Sequence, residues 1–161
     1  MMFTRQCSTF LFLSLLFVLA GLARGEDYLK LQKDAENGNA EAQFILGKWY
    51  HAGQGFPQDD VKSFMWYCEA AKQGLAKAQN NVGAAYSDGK GMARDEAEAA
   101  KWFRKASDQG MPVAQYNLAL QYHSGQGVKK DFAAAIMWYR KAAEQGTCEG
   151  TSNACYSIQS W

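Results

Sequence analysis

Three consecutive stretches of the chain repeat one another at a fixed interval of 36 residues. They span residues 42–74, 78–110 and 114–146 and align without a gap. Alanine, glutamine, glycine, tyrosine, aspartate and tryptophan recur at the same places in all three. A period of this length indicates short structural units that stack on one another, because a single unit cannot bury its own apolar face. The period therefore predicts an elongated array of similar units.

Each unit is predicted to contain two helices joined by a glycine-containing turn. In the first half, Ala42, Leu46 and Tyr50 recur every four residues, which places them on one face of a helix. In the second half, Ser63, Trp66 and Ala70 form the matching stripe, and charged residues lie on the outward side. A Gln-Gly pair ends each second helix, as expected of a C-terminal glycine. Because no stretch alternates between apolar and polar residues, no strand is predicted.

A small residue recurs inside the first helix of every unit, at Gly47, Gly83 and Ala119. Glycine inside a helix costs about 1 kcal/mol relative to alanine. A small side chain at this place therefore predicts close contact with a neighbouring helix. The recurring tryptophan and tyrosine positions are assigned to the core on the same grounds of helical spacing.

A Gly-x-Gly motif, which begins at Gly53 in the first unit, separates the two helices of every unit. It resembles a phosphate-binding loop, but a dinucleotide fingerprint needs a preceding strand and a third glycine. Asp59, Asp95 and Asp131 follow the motif where the second helix should begin. A carboxylate there caps the free N–H groups of the helix and would repel a phosphate. We interpret the motif as a structural turn.

The N-terminal segment has the order of a secretory signal peptide. Arg5 precedes an apolar run of 13 residues, Phe10–Leu22, whereas roughly 20 residues are needed to span a bilayer. Cleavage is expected between Ala23 and Glu26, which would remove residues 1–25, and an uncleaved anchor is the alternative. The mature chain is then predicted to be secreted or periplasmic, in a bacterial envelope, with no membrane span.

Charge and cysteine content limit the classes of partner. Removal of two arginines with the signal peptide leaves 15 of the 17 basic residues against 16 acidic residues, so no attraction to nucleic acid is expected. Cys68, Cys148 and Cys155 remain, an odd number in an oxidising compartment. Cys148 and Cys155 are candidates for a disulfide, with two free thiols as the alternative. Cys68 is then a surface thiol or an intermolecular link.

No pattern of a catalytic, cofactor or metal site is found in the sequence. His51 and His123 occupy the same place in the first and third units. Since stacked helices lie roughly 10 Å apart, two rings separated by two units cannot share a metal. No nucleophile stands beside a base in a known motif. The chain is predicted to be non-enzymatic, without cofactor or metal.

The repeated residues resemble the Sel-one-like repeat, a relative of the tetratricopeptide repeat. They read Ala-Gln-x-x-Leu-Gly-x-x-Tyr, then Gly-x-Gly-x-x-x-Asp, then Ala-x-x-Trp-Tyr/Phe-x-x-Ala-Ala-x-Gln-Gly. The resemblance implies an all-α fold, a right-handed α/α superhelical solenoid of helix-turn-helix repeats within residues 26–161. Its predicted parts are a half-repeat cap, three repeats and a truncated tail that is either a short capping helix or a truncated end: 26–39, 40–75, 76–111, 112–147 and 148–161.

The first helix of each unit has a variable side, opposite to its repeated residues. In a stacked solenoid this side would line the concave surface, where such proteins usually bind their partners. Its mixed apolar and polar character suits a protein or peptide, and a face that is merely solvated would vary in the same way. The candidate partner-binding residues are Glu41, Ile45, Lys48, Lys77, Asn81, Ala84, Asp88, Val113, Asn117 and Leu120.

Three functions are compatible with these observations. The resemblance implies an adaptor in an assembly, envelope or host-interaction pathway, which favours an exported scaffold that binds an unknown protein or peptide. Cysteine-rich relatives have been linked with β-lactam binding, so the alternative is a protein that binds or hydrolyses a cell-wall fragment or a β-lactam. A homo-oligomer formed through the C-terminal end or through Cys68 is the third.

Overall fold

The structure, a computed structural model, describes residues 27–55 and 57–145. Within these ranges the chain forms seven helices and no strand. Helix α1 covers residues 27–36, and each of the six later helices has 13 residues. Those six are α2 (Ala40–Ala52), α3 (Asp60–Lys72), α4 (Ala76–Asp88), α5 (Glu96–Asp108), α6 (Pro112–Ser124) and α7 (Phe132–Glu144).

Each helix packs against the next one along the chain. The pairs within a unit are α2–α3, α4–α5 and α6–α7, and the pairs between units are α3–α4 and α5–α6. At the N-terminal end, Ala35 of α1 is buried in one cluster with Ala42 and Leu46 of α2. The predicted all-α helical solenoid is therefore confirmed. None of the helices within the described ranges combines the length and the apolar character that a membrane crossing requires.

The turn between the two helices of a unit is built as the sequence predicts. Gly89 ends α4 in the left-handed conformation, with a φ of 69°. Asp95 then caps α5, because its carboxylate accepts hydrogen bonds from two backbone N–H groups of the first turn, at 2.9 and 3.0 Å. Asp59 and Asp131 cap α3 and α7, each by accepting one such hydrogen bond. The interpretation of Gly-x-Gly as a structural turn is confirmed.

The second glycine of the motif also sets the distance between units, which the sequence did not indicate. A Cβ atom at Gly91 would lie 2.6 Å from the carbonyl carbon of Asp60, at the start of α3, and closer still to its oxygen. At Gly127 a Cβ atom would meet the backbone of Glu96, at the start of α5. Only a residue without a side chain allows the turn of one unit to touch the helix start of the preceding unit.

The small residue inside the first helix allows an aromatic ring of the second helix to pack closely. A Cβ atom at Gly47 would lie 2.7 Å from the ring of Tyr67, and one at Gly83 would lie 2.7 Å from the ring of Phe103. Both rings are buried. In the third unit Ala119 takes the glycine position and is fully buried. The predicted close contact between helices is confirmed.

The aromatic stripe of the second helix differs from the prediction by one residue. Trp66, Trp102 and Trp138 were all assigned to the core, but of the three only Trp138 is buried, and the other two are partly exposed. In the first two units the next residue, Tyr67 or Phe103, takes the core position. The difference arises because successive residues of a helix lie about 100° apart, so either ring can border the helix interface.

Buried glutamines connect neighbouring units. Gln79, from the repeated Ala-Gln pair, donates a hydrogen bond from Nε2 to the carbonyl oxygen of Ala71 in the preceding unit, at 3.2 Å. Its Oε1 accepts a hydrogen bond from Nε2 of Gln109, which follows α5, at 2.7 Å. Gln43 and Gln115 make the same two bonds in their own units. Each of these glutamines therefore lies on one helix and forms hydrogen bonds with the helix before it and with the residue that follows the next helix.

Some of the sequence predictions fall outside the part of the chain that the structure describes. They are the signal peptide of residues 1–25, the tail of residues 148–161 and the disulfide between Cys148 and Cys155. The exact bounds of the half-repeat cap also remain a prediction, since the described residues begin within it.

Candidate functional site

The ten candidate residues of the variable face lie on α2, α4 and α6, and all are exposed or partly exposed. The structure brings seven of them together around two adjoining clefts, and the three from the third unit line neither cleft. The seven are Glu41, Ile45, Lys48, Lys77, Asn81, Ala84 and Asp88. The three that lie apart are Val113, Asn117 and Leu120.

The larger cleft lies between the first unit and the start of the second, with walls from α2, α3 and α4. Its volume is about 360 Å³. The first helices contribute Lys48, Asn81 and Asp88, and α3 contributes Ser63 and Tyr67. A cleft of this size, with several polar groups on a largely apolar wall, has the character of a ligand-binding site.

The smaller cleft, of about 330 Å³, lies along α2. Phe44, Ile45 and Trp49 give it an apolar wall, and Lys77 of the second unit closes one side. Lys48 lines both clefts, so the two are continuous around its side chain.

Charged groups of the larger cleft are mostly paired with one another. Lys90 forms an ion pair with Asp88, with Nζ 3.3 Å from Oδ2, and His51 places Nδ1 3.0 Å from Oδ1 of Asp60. Lys48 differs, because no carboxylate within residues 27–55 and 57–145 lies at ion-pair distance from it. Its ammonium group lies 5.9 Å from the centroid of the Phe44 ring. Lys48 therefore offers an unneutralised positive charge where the two clefts meet.

Tyr67 connects the core to the larger cleft. Its ring packs against the backbone of Gly47, and burial raises the pKa of its phenol group. Hydrogen bonds with Asn81 and Ser63 act in the opposite direction and lower that pKa. The phenol is therefore protonated at neutral pH, and its hydroxyl is held beside the amide of Asn81 as part of a hydrogen-bonding wall.

The two histidines make separate contacts, each within its own unit. His51 contacts Asp60, whereas the ring of His123 lies edge-on to Phe132, with centroids 5.4 Å apart. Over the described residues, no group of three or more histidine, cysteine or carboxylate side chains is placed to hold a metal ion.

The repeat pattern assigns the chain to a known family. The Sel1 repeat matches residues 40–75, 76–111 and 112–147, which together make up most of the chain. The chain belongs to the Sel1 repeat family. The resemblance to the Sel-one-like repeat is therefore confirmed. A comparison with curated proteins found no match.

Solved structures of Sel1 repeat proteins share this fold. A Sel1 repeat protein from Oxalobacter formigenes is 38% identical, with a TM-score of 0.72 over 84% of this chain and 98% of its own. A protective antigen present in uropathogenic Escherichia coli strains, which displays an SLR fold, is 40% identical with a TM-score of 0.74. That match covers 80% of this chain but only 27% of the antigen. Cysteine rich protein B of Helicobacter pylori, 21% identical with a TM-score of 0.60 over 80% of this chain and 94% of its own, shows the fold alone.

The second helix of the first Sel1 repeat supplies cleft residues that the sequence did not identify. Asp60, Ser63, Phe64 and Tyr67 of α3 all line the larger cleft. Ser63 and Tyr67 were missed because both side chains are buried and their positions were assigned to the core. The sequence does indicate that these two residues are unusual, because the second repeat has alanine and phenylalanine at the same positions and so lacks both hydroxyl groups.

Cys68 is partly buried beside the core between the first and second Sel1 repeats. Burial raises the pKa of its thiol to about 11. Because the thiolate is the reactive form in disulfide exchange, the thiol is poorly suited to an intermolecular link at neutral pH. An oligomer through Cys68 stays a prediction.

Proposed function

We propose that this protein is an exported, non-enzymatic Sel1-repeat scaffold that binds a peptide segment of another protein along its two adjoining clefts. The observation that carries the proposal is the unneutralised ammonium group of Lys48, which lies where the two clefts meet. This ammonium group lies between the apolar wall of the smaller cleft and the hydrogen-bonding wall of the larger one.

The composition of the clefts favours a peptide over a small rigid ligand. The apolar wall, with Phe44 and Trp49, suits an apolar side chain. Asn81 and the Tyr67 hydroxyl supply the donors and acceptors that a peptide backbone requires. Two clefts joined at Lys48 suit neighbouring side chains of one extended segment, with an acidic group placed at the lysine.

Export is supported by the sequence of the first 25 residues. A positively charged start, a short apolar run and small residues before Glu26 are the features that direct secretion. N-terminal sequencing of the protein recovered from a bacterial envelope tests this part. A chain that begins at Arg24, Gly25 or Glu26 supports export with cleavage, and a chain that begins at Met1 contradicts the cleavage and supports the uncleaved anchor.

The binding proposal is tested with a random peptide library selected on the immobilised protein. Peptides that share an acidic residue near an apolar one are expected, and Lys48→Glu should weaken their binding about tenfold or more, equivalent to about 1.4 kcal/mol. Lys129→Glu is the matched control, because Lys129 is also an exposed lysine but lies outside both clefts.

Two results would count against the proposal. One is a selection in which no peptide is enriched over a blank surface. The other is an equal loss of binding with Lys48→Glu and Lys129→Glu, since this would show that only net charge matters. Leu120→Asp adds a further control, because Leu120 is an exposed residue of the variable face that lines neither cleft.

A further inference from the structure

The outer face of α7 is exposed, although the equivalent faces of α3 and α5 are covered by the following helix. Ala100 of α5 is 6% exposed, whereas Ile136, at the same position of α7, is 58% exposed. Phe103 is 4% exposed, whereas its equivalent Tyr139 is only partly buried. In the first two units this face is covered by α4 and α6, so the repeat leaves room beside α7 for one more first helix.

The C-terminal sequence repeats the pattern with which a first helix begins. The stretch "ACYSI" at Ala154–Ile158 matches "AQFIL" at Ala42–Leu46 and "AQYNL" at Ala114–Leu118. In this alignment Ala154 is equivalent to the repeated alanine, and Ile158 is equivalent to the leucine that lies four residues after it. It places Ala154 and Ile158 at positions that are at most 6% exposed in all three units.

The connection to α7 is long enough for this register. Between the first and second units, the alanine that opens the new helix follows the glycine of Gln-Gly by four residues, from Gly74 to Ala78. At the C-terminal end the same spacing is eight residues, from Gly146 to Ala154. A loop that is longer by four residues costs little closure entropy. The described chain ends at Gln145, directly after α7, so the segment starts beside the face that it would cover.

We propose that residues 153–161 dock on the exposed face of α7 as the first helix of a fourth unit, with Ala154 and Ile158 packed against Ile136 and Tyr139. The docked segment covers the apolar end of the stack. This inference is independent of the proposed peptide-binding function, because it concerns the opposite end of the array.

One substitution in the segment shows how the docked helix differs from an internal one. Cys155 takes the place of the buried glutamine, so the hydrogen bond that Gln79 makes to Ala71, eight residues earlier, has no counterpart. The disulfide predicted between Cys155 and Cys148 would instead join the docked segment to the connection that follows α7. The docking register is thus compatible with that predicted disulfide.

Amide hydrogen exchange, followed by mass spectrometry on the mature chain, tests the docking. The helix α7 and residues 153–161 are both expected to be protected. Ile158→Asp should raise the exchange rate of both segments at least tenfold, because it places a charge against the apolar face of α7. Ser160→Asp is the matched control and should leave both rates unchanged, since its equivalents Lys48 and Leu120 are exposed.

A chain that stops after Thr147 gives a second measurement that does not depend on a substitution. Its α7 should exchange at least tenfold faster than in the mature chain, while α4 should be unaffected. The proposal is overturned if residues 153–161 exchange as freely as an unfolded peptide, or if Ile158→Asp has no greater effect than Ser160→Asp. It is also overturned if light scattering shows that the shortened chain and the mature chain form the same dimer with a protected α7, because a second copy would then cover the face.

Discussion

Replacing Gly91 by alanine is expected to destabilise the protein more than the same change at Gly55. Both are the second glycine of their motif, and their φ values of 76° and 85° are similar. They differ in their surroundings, because a Cβ atom at Gly91 would collide with the backbone of Asp60 and lie 3.0 Å from the nitrogen of Val61. At Gly55 no atom of the described residues lies within 4 Å of such a Cβ.

The magnitudes follow from two separate costs. A non-glycine residue in the left-handed conformation costs roughly 1–2 kcal/mol, and both substitutions incur this cost. At Gly91 the collision is with backbone rather than with a flexible side chain, so the turn and the start of α3 must move apart, which adds roughly 1–3 kcal/mol. Gly55→Ala is therefore expected to cost about 1–2 kcal/mol, and Gly91→Ala about 2–5 kcal/mol.

Urea unfolding followed by circular dichroism measures both changes in the free energy of unfolding. If the slope against urea is unchanged, the difference in midpoint reports the difference in stability directly. Equal destabilisation by the two substitutions, within about 0.5 kcal/mol, would refute the role of Gly91 in spacing the units, since only the shared backbone cost would remain. Gly127→Ala should behave like Gly91→Ala, because its Cβ would collide with Glu96 in the same way.

Three further outcomes can be measured with similar means. Gln79→Ala should cost roughly 1–3 kcal/mol in urea unfolding, because it leaves buried hydrogen-bonding groups without a partner, whereas Gln58→Ala on the exposed turn should cost little. Asp95→Ala should cost about 1 kcal/mol by removal of the helix cap, and Asp95→Asn should restore most of that stability. Iodoacetamide should label Cys68 about 100-fold more slowly at pH 8 in the native protein than in urea, because burial raises the thiol pKa to about 11. The stability gained by keeping this thiol neutral should be complete below about pH 9 and should be lost as the pH rises toward 11. A labelling ratio that does not fall as the pH rises from 9 to 11 would contradict both statements.

The parts of the fold that could be predicted from the sequence are those with a local cause. Helical periodicity, the cap of Asp95 and the glycine that ends α4 each depend on residues less than two turns apart. The contacts between units could not be predicted in the same way. Gln79 and Gln109 are 30 residues apart, and repetition shows that both are required without showing that they touch each other.

The candidate site was predicted in part for a similar reason. Seven of the variable positions predicted on α2 and α4 line the two clefts, and their role in binding stays a prediction. Tyr67 was missed because one side chain serves two purposes: its ring packs on Gly47 and its hydroxyl reaches Asn81 in the cleft. A pattern that assigns each residue to either the core or the surface cannot identify such a position.

Differences between units locate the binding chemistry better than the shared residues do, because the shared residues are used for packing. At the position equivalent to the larger cleft, the second unit has Ala99 and Phe103 in place of a serine and a tyrosine, so the two hydroxyl groups are absent there. Its carboxylate Glu96 is already bound by Ser87 and Gln121. The junction of the first and second units therefore presents the hydroxyl groups of Ser63 and Tyr67 beside the ammonium group of Lys48. One unit later the equivalent residues, Ala84, Ala99 and Phe103, carry none of these groups. A peptide that requires those groups would bind in one register along the stack, although the stack itself repeats.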